Sequence, residues 1–118
     1  MKRYLKTLCV SLTIVFILAG ASVARADWEK RTTSSFAWLR DITFVDEYKG
    51  FIVGTDGIIL RTDTGGVTWT AQPKFTTDTL LQVHFINATT GWMLCERNFF
   101  ARGNNPVSYI RKTTDGGR

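Results

Sequence analysis

A hydroxyl, an acid and a glycine pair recur at fixed spacing in this chain. Thr62, Asp63, Gly65, Gly66, Thr68 and Trp69 form "RTDTGGVTW", and Thr113, Asp115, Gly116 and Gly117 form most of "KTTDGGR". The chemistry these residues support is hydrogen bonding to the backbone, not bond breaking. Paired glycines permit positive φ without a side-chain clash. A hydroxyl or carboxylate beside them accepts from the turn's own N–H groups, and Trp69 supplies a large apolar anchor. Groups with catalytic potential lack company. His84 is the single histidine, set between apolar positions in "QVHFIN". No Cys or His cluster with metal-ligand spacing accompanies it, so it reads as a strand residue. Ser34, Ser35 and Ser108 lie outside any G-x-S-x-G elbow, and no G-x-x-x-x-G-K-[ST] phosphate loop occurs. The residues call for no metal, no cofactor and no catalytic centre.

A second group has the composition of a binding loop. "RNFFARGNNPVSYIRK" sets Arg97, Phe99, Phe100, Arg102 and Tyr109 in a Gly/Asn/Pro context. Arginine and aromatic residues are the types enriched at binding hot spots, and loops carried on a rigid scaffold commonly bind partners. The competing reading is a longer hairpin whose aromatics pack on neighbouring structure.

The N-terminus bears on both readings. Lys2, Arg3 and Lys6 precede an apolar run from Leu8 to Ala19, and Ala24-Arg25-Ala26 ends the segment. This is the pattern of a secretory signal over residues 1–26. It predicts export to the periplasm or beyond, with membrane contact only through the signal or through a membrane-protein client. No Cys follows "ILAGA" to accept a lipid. Removing Lys2, Arg3, Lys6 and Arg25 leaves 11 of the 15 basic residues against 10 acidic ones, a net of +1. The whole-chain charge of +5 is therefore mostly a property of the signal, and nucleic acid is excluded as a partner. Cys9 departs with that segment, leaving Cys95 without a disulfide partner; in "GWMLCE" it reads as a small buried hydrophobe.

The elements that must position these groups are short strands. "LRDITFVDEYKGFIVG" and "LLQVHFINATTGWMLC" align at an offset of forty-one, pairing Ile42 with Val83, Phe44 with Phe85, Gly50 with Gly91 and Phe51 with Trp92. The turn motifs stand fifty-one apart, so the second unit holds ten extra residues, which fall in the candidate loop. In "DITFVD", Ile42 and Phe44 share one face while Thr43 and Val45 share the other. "GFIVG" and "GIILRT" flank Asp56-Gly57, a hairpin signal, and "VTWTAQP" makes a fourth strand. Four strands in a unit of roughly 40 residues is the content of one β-propeller blade. The fold class is all-β, with blades of four antiparallel strands.

On these residues the chain resembles a known repeat. "ILRTDTGGVTW" and "IRKTTDGG" are similar to the Asp-box, or bacterial neuraminidase repeat, with its S/T-x-D-x-G-x-T-W pattern. The flanking "ITFVDEYKGFIVGTDGIILRT" and "VHFINATTGWML" resemble the version found in the photosystem II stability and assembly factor family, whose members are seven-bladed propellers. The first box departs from the pattern: Thr64 occupies the Asp position and Asp63 stands one place early. The resemblance implies a non-enzymatic binding or assembly scaffold with a protein partner, placed in the thylakoid lumen if the host is photosynthetic.

The alternative is a sialidase-like or glycan-binding exoprotein built on the same boxes. A sialidase grips its substrate carboxylate with converging arginines and carries an F-R-I-P stretch; that stretch is absent, and the arginines are scattered along the sequence. The expected organisation is a signal at 1–26, a linker or ring-closing edge strand at 27–37, a first blade at 38–79 and a second at 80–118. The second box stops at Arg118, inside its motif, as expected of a chain continuing into further blades. Blades bury their faces only against neighbours, so Phe44, Phe51, Phe85 and Trp92 are expected to be partly bare in two blades alone.

Overall fold

The computed structural model describes residues 27–101 and 103–118. The chain divides into two compact units, Met1–Lys30 and Arg31–Arg118. Of the first, the described residues are 27–30, which are exposed and without regular structure; the signal segment falls outside the described residues. Among the described residues the strands lie in the second unit: β1 (Leu39–Phe44), β2 (Gly50–Gly54), β3 (Ile59–Thr62), β4 (Thr70–Ala71), β5 (Thr79–Phe85), β6 (Gly91–Glu96) and β7 (Ser108–Thr113). They form two antiparallel meanders, a four-stranded sheet ordered β1-β2-β3-β4 and a three-stranded sheet ordered β5-β6-β7. The protein is all-β, built of propeller-type blades. Residues 27–38 contribute no strand.

Register shows that the two sheets are copies of one design. Thr43 faces Phe51 and Phe44 faces Gly50 in the first; His84 faces Trp92 and Phe85 faces Gly91 in the second. Each first strand also carries an irregularity at the same place, between Leu39 and Asp41 and between Leu80 and Gln82. Gly50 and Gly91 do the same work in both sheets. A Cβ there would stand 2.9 Å from the Phe44 ring or 2.7 Å from the Phe85 ring, so the missing side chain makes room for the aromatic opposite. At Asp56 and Gly57 both φ values are positive, 56° and 64°, as the tightest hairpin turn requires.

Strand β4 is shorter than the sequence implies. Val67, Thr68 and Trp69 belong to the turn, because the Thr68 N–H is held by the Thr64 hydroxyl at 3.0 Å and cannot join a ladder. Pairing begins only at Thr70, opposite Arg61.

The sheets stack through one apolar core of Phe51, Val53, Ile59, Leu80, Val83 and Cys95. Phe51 and Phe85 lie parallel with ring centroids 4.7 Å apart. Phe51 is buried, which corrects the expectation that it would be partly bare, while Phe85, packed on it, is only partly buried. Phe44 remains exposed, on the opposite face of the first sheet. That face carries a smaller cluster of Ile52, Ile58 and Leu60, with Ala37 and Trp69 against it. A polar bond also crosses the stack, from the Val83 N–H to Asp41 Oδ2 at 2.8 Å.

Candidate functional site

The two glycine turns close around a threonine. Thr62 is buried at the end of β3, and its Oγ1 accepts from the N–H of Thr64 at 3.1 Å and of Gly66 at 3.0 Å. Thr113 holds the same position at the end of β7, accepting from the Gly117 N–H at 2.9 Å and the Asp115 N–H at 3.4 Å. Gly65, Gly66, Gly116 and Gly117 all have positive φ, between 66° and 86°, where a side chain would be strained. In the second turn Asp115 Oδ1 accepts from the Thr113 hydroxyl at 2.7 Å and from the Arg118 N–H at 3.2 Å. The Thr113 bond holds its carboxyl below the ordinary carboxylate value.

The first turn replaces that acid. Thr64 Oγ1 accepts from the Thr68 N–H and lies 3.0 Å from the Thr68 hydroxyl. Asp63 turns outward and takes both Arg61 Nε and an Arg61 terminal nitrogen, at 2.9 and 2.8 Å. Asp63 is therefore an ion-pair residue, its pKa lowered first by Arg61. Trp69 is half-buried and meets Phe44 edge to face at 6.1 Å.

Each turn leans on the hairpin ahead of it, a contact that sequence reasoning missed. The Gly65 N–H donates to the Tyr48 carbonyl at 2.8 Å, and the Gly116 N–H donates to the Thr89 carbonyl at 2.8 Å. Those hairpins are themselves tied by one side chain. Asp46 Oδ1 accepts from the Tyr48 and Lys49 N–H groups, and Asn87 Oδ1 accepts from those of Thr89 and Thr90. The readable signal was an Asx residue followed two and three places later by residues that must donate.

The ten-residue insertion divides into a base and a tip. At the base, Asp78 is buried, with Oδ1 accepting from the Asn98 N–H at 2.9 Å and Oδ2 from the Tyr109 hydroxyl at 2.6 Å. Its own carbonyl takes the Gly57 N–H at 2.8 Å. The Tyr109 and Asn98 bonds lower the Asp78 pKa, in that order; burial and then Asp78 raise that of Tyr109. Arg97 donates to the Pro106 carbonyl at 3.1 Å and lies 5.0 Å over the Tyr109 ring. Arg97 and Tyr109, grouped with the loop from sequence, thus belong to its foundation, and Tyr109 sits on β7 facing the core. At the tip, Phe99 and Phe100 are 73% and 94% exposed, edge to face at 5.6 Å. Arg102 lies outside the described residues.

The remaining candidates do not converge on a reaction centre. Cys95 is fully buried, and burial raises its pKa, which suppresses the reactive thiolate. His84 is exposed on the outer face of the second sheet. Arg40, Arg61, Arg97 and Arg111 address Trp38, Asp63, Tyr109 and Phe75 respectively. A cleft of about 330 Å³ between the sheets has an apolar floor of Phe51, Val53 and Phe85, with Arg111 and Asp115 also lining it. Such a mixture can hold a peptide side chain.

Comparison with known proteins agrees with this geometry. A family model described as photosynthesis system II assembly factor YCF48 matches residues 21–99. The photosystem II assembly lipoprotein Ycf48 of Prochlorococcus marinus (strain NATL2A) is 37% identical, over 58% of this chain and 23% of that protein. A solved structure of YCF48 bound to D1 peptide superposes with a TM-score of 0.65 at 24% identity, over 81% of this chain and 29% of its own. YCF48 from Cyanidioschyzon merolae superposes with a TM-score of 0.61 at 24% identity, over 79% and 28%. The chain thus spans about a quarter of the length of these relatives. Its paired Asp-box turns, its matched sheets and the family match over residues 21–99 place this chain in the YCF48 photosystem II assembly factor family.

Proposed function

We propose that this chain is a non-enzymatic scaffold, exported across a membrane, that binds a protein client during photosystem II assembly. Family membership supports the assembly role, and the lipoprotein relative supports a location outside the cytoplasm. The YCF48 structure that holds a D1 peptide supports a protein client, here taken to be a peptide segment of a photosystem subunit. The family match, over residues 21–99, favours this reading over the glycosidase alternative.

The observation that carries the reading is the contrast within the insertion. Two phenylalanines stand out in solvent on a loop whose base is fastened by Asp78, Asn98 and Tyr109. A rigid base under exposed aromatics lowers the ordering cost of binding, and aromatic anchors are common hot spots. Fluorescence anisotropy with a labelled D1 peptide tests it. Saturable binding is expected, weakened about tenfold or more when Phe99 and Phe100 are both changed to Ser, with the thermal unfolding midpoint unchanged. Equal binding by the double variant would remove the loop from the client site, and no binding by the unaltered chain would remove the client assignment.

A further inference from the structure

Ahead of each sheet the chain makes the same small turn. The Ala37 N–H donates to the Ser35 hydroxyl and the Asp78 N–H to the Thr76 hydroxyl, both at 3.1 Å. At the repeat offset of forty-one, Ser35 stands with Thr76 and Ala37 with Asp78. The side chain at the second position is what sets the two turns apart. Ala37 packs against Ile52, Ile58 and Leu60, whereas Asp78 brings a carboxylate into a site where it is 6% exposed.

The hairpins next to these turns differ to match. The first sheet joins β2 to β3 through residues 55–58, and the backbone of Trp38 holds that short connection. The Trp38 N–H donates to the Thr55 hydroxyl at 3.0 Å, and the Thr55 N–H donates to the Trp38 carbonyl at 2.9 Å. The second sheet joins β6 to β7 through the insertion, where the Asp78 carboxylate takes the Asn98 N–H and the Tyr109 hydroxyl. Asn98 carries that anchor into the tip. Its side-chain oxygen accepts from the Phe100 N–H and its carbonyl from the Ala101 N–H, both at 3.0 Å. The Asp78 carbonyl takes the Gly57 N–H, so one residue ties the insertion to the hairpin of the first sheet. An ionised acceptor makes stronger bonds than a neutral one, and both oxygens of this buried carboxylate are occupied within the chain.

We propose that Asp78 is a positioning residue for the client: its carboxylate, acting through Asn98, fixes where the Phe99–Phe100 tip stands. This role rests on the reading of the loop as the client site. Asp78 acts through the tip, by lowering the ordering cost of binding.

Hydrogen–deuterium exchange of the full chain, read by mass spectrometry, tests the proposal with Asp78→Ala, Asp78→Asn and Tyr109→Phe. Asp78→Ala is expected to speed exchange over residues 97–101 about tenfold or more while β1 and β2 stay level. Asp78→Asn keeps a neutral acceptor for the Asn98 N–H and is expected to fall between. Tyr109→Phe leaves the Asn98 bond in place and is expected to change the tip least. The labelled D1 peptide is expected to bind Asp78→Ala about fivefold more weakly than the unaltered chain. In a chain already carrying Phe99→Ser and Phe100→Ser, Asp78→Ala is expected to cost no further affinity, because the residues it positions are gone. A merely structural role would weaken both backgrounds alike, and that result would overturn the proposal. So would unchanged tip exchange in Asp78→Ala or, if circular dichroism shows that variant unfolded, in Asp78→Asn. An unaltered chain that binds no D1 peptide would remove the client reading instead, and exchange would still separate a tip ordered by Asp78 from one that is not.

Discussion

The turn at residues 62–69 and the turn at 113–118 have the same shape and different chemistry. Both wrap two backbone N–H groups around a threonine hydroxyl, and both place a donor against the preceding hairpin. The second adds an ionised carboxylate at Asp115, while the first uses the neutral hydroxyl of Thr64 and sends its acid, Asp63, to Arg61. The hairpins reverse the assignment, with Asp46 in the first sheet and Asn87 in the second. The turns therefore require an acceptor oxygen at a given point in space, and its charge is secondary.

The largest test of this comparison is Trp69→Ala. The first turn is clamped between Trp69 and Phe44, and losing a half-buried indole should cost about 3 kcal/mol in chemical denaturation. A near-neutral result would mean that the threonine alone holds the turn. Next is the hydroxyl itself. Thr62→Val strands two N–H groups beside a buried site and should cost about 2 kcal/mol. Thr113→Val, at a less buried position, should cost about 1 kcal/mol. Equal losses would show that burial does not separate the two turns.

Acid should then act on the second turn before the first. Asp115 has its pKa lowered by Thr113, so its contribution is complete above the ordinary carboxylate range and fades as pH falls through its depressed folded value. Amide exchange at Gly117 and Arg118 should rise under those acidic conditions while that at Gly66 and Thr68 stays level. The smallest effect is expected from Thr64→Asp, which gives the first turn the acid of the second. The unfolding midpoint at neutral pH should move by only about 1 °C, yet the first turn should acquire the same acid response. No acid response at Gly66 in that variant would show that the carboxylate cannot reach the Thr62 hydroxyl.

Local spacing made much of this readable. The offsets of forty-one and fifty-one located both sheets and the insertion, since each strand pairs with its sequence neighbour and no distant pairing had to be guessed. Other features were hidden because they depend on contact across the stack. Asp78 looks like one more loop acid, and only the approach of Asn98 and Tyr109 explains its burial. Tyr109 reads as part of an exposed aromatic cluster until strand parity and the core claim it. The fourth strand was overextended because periodicity cannot show that the Thr68 N–H is already held by Thr64.

The sequence by itself determined the all-β class, the repeat, the glycine turns and the alternation that sorts residues onto two faces of each sheet. These follow from backbone sterics and a period of two, which act within a few residues. Only the tertiary structure decided which faces meet. Alternation assigns Phe44 and Phe51 to opposite sides but is silent on which side a neighbour will cover. That choice rests on the fit of Phe51 against Phe85 and the bond from Val83 to Asp41, contacts between residues more than thirty positions apart.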